Sequence, residues 1–113
     1  MNTQNHISQD QRNRFGLTER DMNTLGNIFL NFPQVLQLVI FGSRAKGNYK
    51  RGSDIDIAIM NAGIDEDILR KIKSDLEESD LPYKTDLVNF PTLTNKEFID
   101  HIKRVGIPFL FQN

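Results

Sequence analysis

The sequence predicts an α+β fold, a small mixed β-sheet of three or four strands with helices mainly on one face. Three short apolar runs, at about residues 35–41, 53–60 and 84–88, predict the strands. The connection from Gly42 to Gly52 is only eleven residues long. A parallel pair needs a longer crossover, so the first two strands are expected to be antiparallel neighbours.

Helices are predicted where apolar residues recur three or four apart, at about residues 18–32, 65–80 and 94–105. Each predicted start carries side chains that can accept hydrogen bonds from the first backbone N–H groups. These residues are Thr18 with Asp21, Asp65, and Thr94 with Glu97. Helix-ending residues follow each stretch: Pro33, Pro82, and Gly106 with Pro108.

The chain has 113 residues, which is the size of one domain. Residues 1–14 are polar and rich in Asn and Gln, and we interpret them as an N-terminal arm, with residues 15–113 as a single domain. The apolar stretch 107–111 is expected to be either a final strand or a contact surface for a partner.

Composition excludes several classes of protein. The net charge is −1, with basic residues concentrated between positions 44 and 51, so no strong nucleic-acid binding is expected. The absence of cysteine excludes disulfides and thiolate metal sites. Without a signal-peptide pattern or an apolar run that could span a membrane, we expect a cytoplasmic protein with no membrane association.

Two aspartates on the second predicted strand point to a metal site. Asp54 and Asp56 are two residues apart, so their side chains are expected on the same face of the strand. Two neighbouring carboxylates repel each other unless a cation lies between them, and Mg²⁺ prefers such oxygen ligands. Asp86, on the third predicted strand, could complete the site as a further ligand or as a proton acceptor.

A Gly-Ser turn directly after the first predicted strand adds a candidate phosphate site. Gly42 allows a sharp turn and close approach to a ligand. If a short helix begins at Ser43, its first N–H groups and the hydroxyl can bind phosphate oxygens. Arg44 follows, and an arginine fork matches phosphate geometry. Taken alone, however, a Gly-Ser pair is more often an ordinary turn.

The segments Phe41-Gly-Ser-Arg-Ala-Lys-Gly and Gly52-Ser-Asp-Ile-Asp-Ile-Ala-Ile together resemble the signature of the DNA-polymerase-β-like nucleotidyltransferase superfamily. They are most similar to its minimal nucleotidyltransferase branch. The resemblance covers about residues 34–90 and implies the same α+β architecture. It implies that Asp54, Asp56 and Asp86 are the catalytic and metal-binding residues, and that the Gly-Ser pair holds nucleotide phosphates.

The resemblance also implies a reaction and a partner. The expected enzyme uses Mg²⁺, or Mn²⁺ as an alternative, to transfer a nucleoside monophosphate from an NTP, ATP in the first instance, to a hydroxyl. Members of this branch resemble antitoxins paired with a small helical HEPN protein. Two alternatives stay open: a non-catalytic binding antitoxin, and a catalytic subunit that nucleotidylates a small molecule such as an aminoglycoside. Formation of a homo-oligomer also stays open.

Overall fold

The computed structural model describes residues 12–109, which form one four-stranded sheet with four helices. Along the chain the strands are β1 (Leu38–Phe41), β2 (Ile55–Ile59), β3 (Thr85–Asn89) and β4 (Ile107–Pro108). The helices are α1 (Glu19–Leu30), α2 (Gly42–Lys46), α3 (Glu66–Glu77) and α4 (Lys96–Val105), and a 3₁₀ turn (Phe90–Thr92) follows β3. The α+β prediction is therefore confirmed.

Pairing within the sheet makes it mixed. The strand order is β3-β2-β1-β4. β1 is antiparallel to both β2 and β4, as the short connection between β1 and β2 predicts, while β2 and β3 are parallel. The chain between β2 and β3 contains α3, which is the crossover that parallel neighbours require.

Two of the three predicted helix starts are confirmed. Thr18 and Asp21 form a reciprocal capping box at α1, and the Asp65 side chain accepts a hydrogen bond from the Ile68 N–H at α3. The predicted capping box of Thr94 at α4 is wrong by one residue. Asn95 caps α4, because its side-chain oxygen accepts a 2.8 Å hydrogen bond from the Phe98 N–H.

Alternating side chains of the sheet form two apolar layers. On one face, Ile40, Ile57 and Leu87 pack with residues of α1 and α3 to form the main core. On the other face, Phe41 and Ala58 pack with Ile102 of α4. Two of the three long helices therefore lie on one face, and α4 covers part of the other. Side chains at Asp56 and Asp86 belong to the α4 face, since they alternate with Ile57 and Leu87.

The two chain ends were predicted as an arm and as a strand or partner surface. Residues 1–11 and 110–113 lie outside the described residues, so only part of each prediction can be compared. Arg12 forms an isolated bridge with Thr18, and Ile107–Pro108 is a strand. Within residues 12–109, no helix is long and apolar enough to cross a membrane.

Candidate active site

Three neighbouring strands bring the predicted site residues into one row at an edge of the sheet. Phe41, the last residue of β1, is paired with Asp56 of β2, and Asp56 is paired with Asp86 of β3. Paired residues on adjacent strands lie about 5 Å apart and share a face. The turn that begins at Gly42 therefore starts beside Asp56, and the carboxylates of Asp56 and Asp86 lie side by side.

Asp54 lies just before β2 and, like Asp86, is exposed, whereas Asp56 is half-buried. The hydrogen bond from the Ile55 N–H to the Lys84 carbonyl, 2.9 Å, joins the segment that carries Asp54 to the start of β3. Two accessible carboxylates thus flank one that is partly withdrawn from water. The predicted start of this strand, at about residue 53, is early by two residues, so Asp54 lies just outside β2.

Electrostatics of the site centre on Asp56. Its pKa is raised from 3.8 to about 6, first by burial and then by the negative charges of Asp86 and Asp54, while Arg44 acts in the opposite direction. Asp86 and Asp54 are therefore both close enough to Asp56 to repel its negative charge. A divalent cation would relieve that repulsion, and three carboxylates are a donor set that suits Mg²⁺.

The carboxylates are not already gathered as a cluster of ligands. Among residues 12–109, no group of three or more His, Asp or Glu side chains stands at distances suited to a metal ion. Asp54 and Asp86 are exposed and can rotate toward Asp56 at small cost. The residues present thus fit a divalent cation in their chemistry, since all three offer the hard oxygen ligands that Mg²⁺ prefers.

The Gly-Ser turn passes very close to Asp56. Gly42 has φ +70°, which other residues rarely adopt, and a side chain there would overlap the carboxylate of Asp56. The short helix predicted at Ser43 is confirmed as α2, which begins one residue earlier. Gly42 and Ser43, the predicted phosphate site, therefore form the first turn of α2 directly beside Asp56.

Arg44 does not lie where a phosphate ligand is expected, so we correct that prediction. Only 2% of its surface is exposed. Its guanidinium donates to the carbonyl of Ser53 at 2.8 and 3.1 Å, to that of Phe15 at 2.8 Å and to that of Gly16 at 3.4 Å. Because these backbone carbonyls occupy its fork, the guanidinium is committed to the protein itself.

Two tyrosines complete the surroundings of Arg44. Its guanidinium carbon lies 4.4 Å from the ring centroid of Tyr83 and 5.3 Å from that of Tyr49. Sequence reasoning missed Tyr83, since nothing in its neighbours distinguishes it from any aromatic residue near a strand. The ring of Tyr49, in the loop after α2, likewise faces the arginine.

Comparison with protein families gives a match that covers most of the chain. The model described as polymerase beta, nucleotidyltransferase, matches residues 23–113, which include the whole row of site residues. A curated relative, the probable protein adenylyltransferase MntA of Haemophilus influenzae, is 39% identical over 68 residues, or 59% of this chain. The aligned part is 59% of that protein, so the match spans less than two thirds of the relative's length.

Solved structures with the same architecture come from toxin–antitoxin systems. One, described as a toxin–antitoxin with AMP-PNP, superposes with a TM-score of 0.65 at 22% identity, over 81% of this chain and 74% of that one. Another, the toxin–antitoxin MntA-HepT, has a TM-score of 0.51 at 21% identity, over 80% and 70% of the two chains. At these identities the likeness establishes the fold alone.

Proposed function

Because the chain belongs to the polymerase beta nucleotidyltransferase family, we propose that it transfers a nucleoside monophosphate from an NTP to a hydroxyl. The observation that carries the proposal is the row formed by the β1 end, Asp56 and Asp86. It sets two carboxylates beside the Gly42-Ser43 turn, and a third carboxylate, Asp54, lies two residues from Asp56. ATP is the proposed donor, with support from the adenylyltransferase relative and from the AMP-PNP in a structural neighbour.

The proposed roles follow from the position of each side chain. Gly42 and Ser43 bind the β- and γ-phosphates through their backbone N–H groups and the hydroxyl of the serine. Asp54 and Asp56 hold the divalent metal with Asp86, and Mg²⁺ is the metal that this donor set favours. When bound, the metal neutralises charge on the phosphates and orients them for in-line displacement.

The chemical step balances without any further reactant. The acceptor hydroxyl oxygen forms a bond to the α-phosphorus, and the bond from that phosphorus to the oxygen bridging to the β-phosphate breaks. Pyrophosphate leaves with the electron pair. The proton of the hydroxyl passes to the carboxylate of Asp86, which is exposed and lies at the edge strand where an acceptor can approach.

We propose that the acceptor belongs to another protein, a small helical partner of the HEPN kind, and that the modification makes this chain an antitoxin. The support is indirect: the curated relative is named a protein adenylyltransferase, and the structural neighbours are toxin–antitoxin complexes. The sheet and its helices occupy the described part of the chain, and they leave the carboxylates at an open edge. A cytoplasmic location would suit such a system.

Intact-mass spectrometry tests both parts of the proposal. The protein is incubated with the helical protein encoded beside it, Mg²⁺ and ATP, CTP, GTP or UTP in separate reactions. We expect the partner to gain one or more adenylyl units with ATP, and no gain with the Asp54→Asn/Asp56→Asn variant. Asp100→Asn is the matched control, because Asp100 is an exposed aspartate on α4 and should leave transfer unchanged.

Each alternative gives a different result in the same experiment. A binding antitoxin would form a complex and suppress the partner's toxicity equally well with the Asp54→Asn/Asp56→Asn variant. A small-molecule enzyme would leave the partner unmodified and transfer the nucleotide to an aminoglycoside added in its place. If no pyrophosphate is released in any of these reactions, the proposed transferase activity is contradicted.

A further inference from the structure

The buried guanidinium of Arg44 contacts three segments of the chain, at residues 15–16, 49–53 and 83. It donates to backbone carbonyls of Phe15 and Gly16 before α1, and to that of Ser53 just before β2. It also faces the rings of Tyr49 and Tyr83. We call this group of contacts the Arg44 clamp.

The clamp is tightly packed as well as hydrogen-bonded. Gly16 has φ +75°, and a Cβ at this position would lie 2.5 Å from the ring of Tyr49, so the turn before α1 rests directly on that tyrosine. The Ser53 hydroxyl in turn accepts a 2.8 Å hydrogen bond from the Lys50 N–H, and the Ser53 N–H donates to the Lys50 carbonyl. The hydroxyl and N–H of Ser53 are therefore bonded to Lys50 and its carbonyl to Arg44, which fixes the loop that leads to Asp54.

Two of the clamp residues stand next to the proposed metal ligands. Ser53 directly precedes Asp54, and Tyr83 comes three residues before Asp86. Arg44 itself lies in α2, two residues after the Gly42 that contacts Asp56. One buried side chain thus contacts the carbonyl of the residue before Asp54 and a ring on the segment that leads into the strand of Asp86. It does so from α2, the helix that begins beside Asp56.

We propose that Arg44 is a positioning residue, which sets the places of Asp54 and Asp86 relative to Asp56 by holding the Ser53 carbonyl and the Tyr83 ring. The proposal rests on the function proposed above, since it assumes that the three carboxylates act together on a metal. Arg44 touches neither nucleotide nor metal in this role. Its fork is suited to the task because three carbonyls in different directions need several donors on one rigid plane.

A charge alone would not perform this role. Lysine has a single ammonium on a flexible stem, so Arg44→Lys would keep the positive charge and lose the simultaneous contacts. Arg44→Met would keep much of the side-chain volume and lose every donor. If positioning is the role, the two variants should fail in the same way, whereas a purely electrostatic role would be rescued by lysine.

Hydrogen–deuterium exchange of the intact protein tests the clamp without metal or nucleotide. We expect Arg44→Met and Arg44→Lys to raise exchange in residues 15–17, 49–56 and 83–86, and to leave α3 and β1 near wild type. Ile72→Val, a fully buried core substitution on α3, is the control for a general loss of stability. Exchange that rises evenly through the chain, as expected for that control, would overturn the proposal.

Binding of Mn²⁺ alone, measured by the EPR signal of the free ion, is the second readout. We expect both Arg44 variants to bind Mn²⁺ about tenfold more weakly or worse, the loss typical of residues that orient metal ligands. Unchanged Mn²⁺ binding with weaker MgATP binding would identify Arg44 as a phosphate ligand and overturn the proposal. Wild-type protein that binds no Mn²⁺ and transfers nothing would instead contradict the proposed function, and the exchange pattern would still decide the clamp.

Discussion

Replacement of Asp56 by asparagine should make the metal-free protein more stable, even though it should abolish the proposed activity. The pKa of Asp56 is raised from 3.8 to about 6 by burial and by the charges of Asp86 and Asp54. The folded protein therefore binds this proton more tightly than the unfolded chain, so ionisation of Asp56 destabilises the fold. The penalty is absent below about pH 3.8, grows as the pH rises, and is complete above about pH 6.

The size of the penalty follows from the shift. The rise in the pKa of Asp56, from 3.8 to about 6, corresponds to about 3 kcal/mol, since a change of one in pKa is worth about 1.4 kcal/mol. Because Asp56 is only half-buried, screening by water reduces this figure, and we expect about 1–1.5 kcal/mol at pH 7.5. At pH 4.5 about a third of the effect should remain, because this pH lies only slightly above the pKa of the unfolded chain and well below that of the folded protein.

Thermal and urea unfolding in EDTA, at pH 7.5 and pH 4.5, would measure the effect. We expect Asp56→Asn to raise the free energy of unfolding at pH 7.5 and much less at pH 4.5. Added Mg²⁺ should reverse the order, because the wild type gains about 2.7 kcal/mol when the metal is at a hundred times its Kd, and the variant gains little. Asp100→Asn is the control for the loss of one surface charge.

Two results would refute this reasoning. If Asp56→Asn is less stable than the wild type at pH 7.5 in EDTA, the carboxylate is stabilised by contacts that outweigh burial and repulsion. If the stability difference is the same at both pH values, ionisation of Asp56 is not its cause. Either result would remove the electrostatic argument for a cation at this site.

Three further predictions concern Asp86, Gly42 and Asp65. Asp86→Asn should lower kcat by about a hundredfold or more, which is the contribution typical of a positioned base, while nucleotide binding is retained. Steady-state kinetics measures both, and an effect on KM alone would contradict the role of Asp86 as the base. Gly42→Ala should cost at least about 1–3 kcal/mol in urea unfolding, because of its positive φ and the overlap with Asp56. That cost should shrink in an Asp56→Ala background, and an equal cost in both backgrounds would rule out the contact. Asp65→Ala should lose about 1 kcal/mol by removing the α3 cap, while nucleotide transfer at 25 °C stays at the wild-type rate.

Local chemistry made much of the fold predictable from the sequence. The caps Thr18 and Asp65 accept hydrogen bonds from N–H groups only three residues away, so a short stretch of sequence is enough to predict them. The short connection after Phe41 excluded a parallel crossover, and the antiparallel pair followed. The error at Thr94 is of the same local kind, because Thr94 and Asn95 are both suitable caps and one residue of register separates them.

The candidate site was also predictable in part. The Asp54–Asp56 spacing and the Gly-Ser turn predicted which residues belong together, although strand pairing decided that Asp86 lies beside Asp56 rather than elsewhere on the sheet. The raised pKa of Asp56 likewise depends on burial and on charges from other segments. No spacing along the chain contains that information.

Arg44 shows most clearly what only the tertiary structure decided. In the sequence it stands in the turn that we predict to bind phosphate, where an arginine is expected to face the ligand. Its partners are the carbonyls of residues 15, 16 and 53 and two aromatic rings, which folding brings together from distant positions. The sequence by itself determined the fold class, the caps of α1 and α3 and the pairing of Asp54 with Asp56, because these depend on spacing. Which way a long side chain turns depends on the backbone carbonyls that the folded chain presents to it, because a buried carbonyl left without a donor costs about 1–3 kcal/mol.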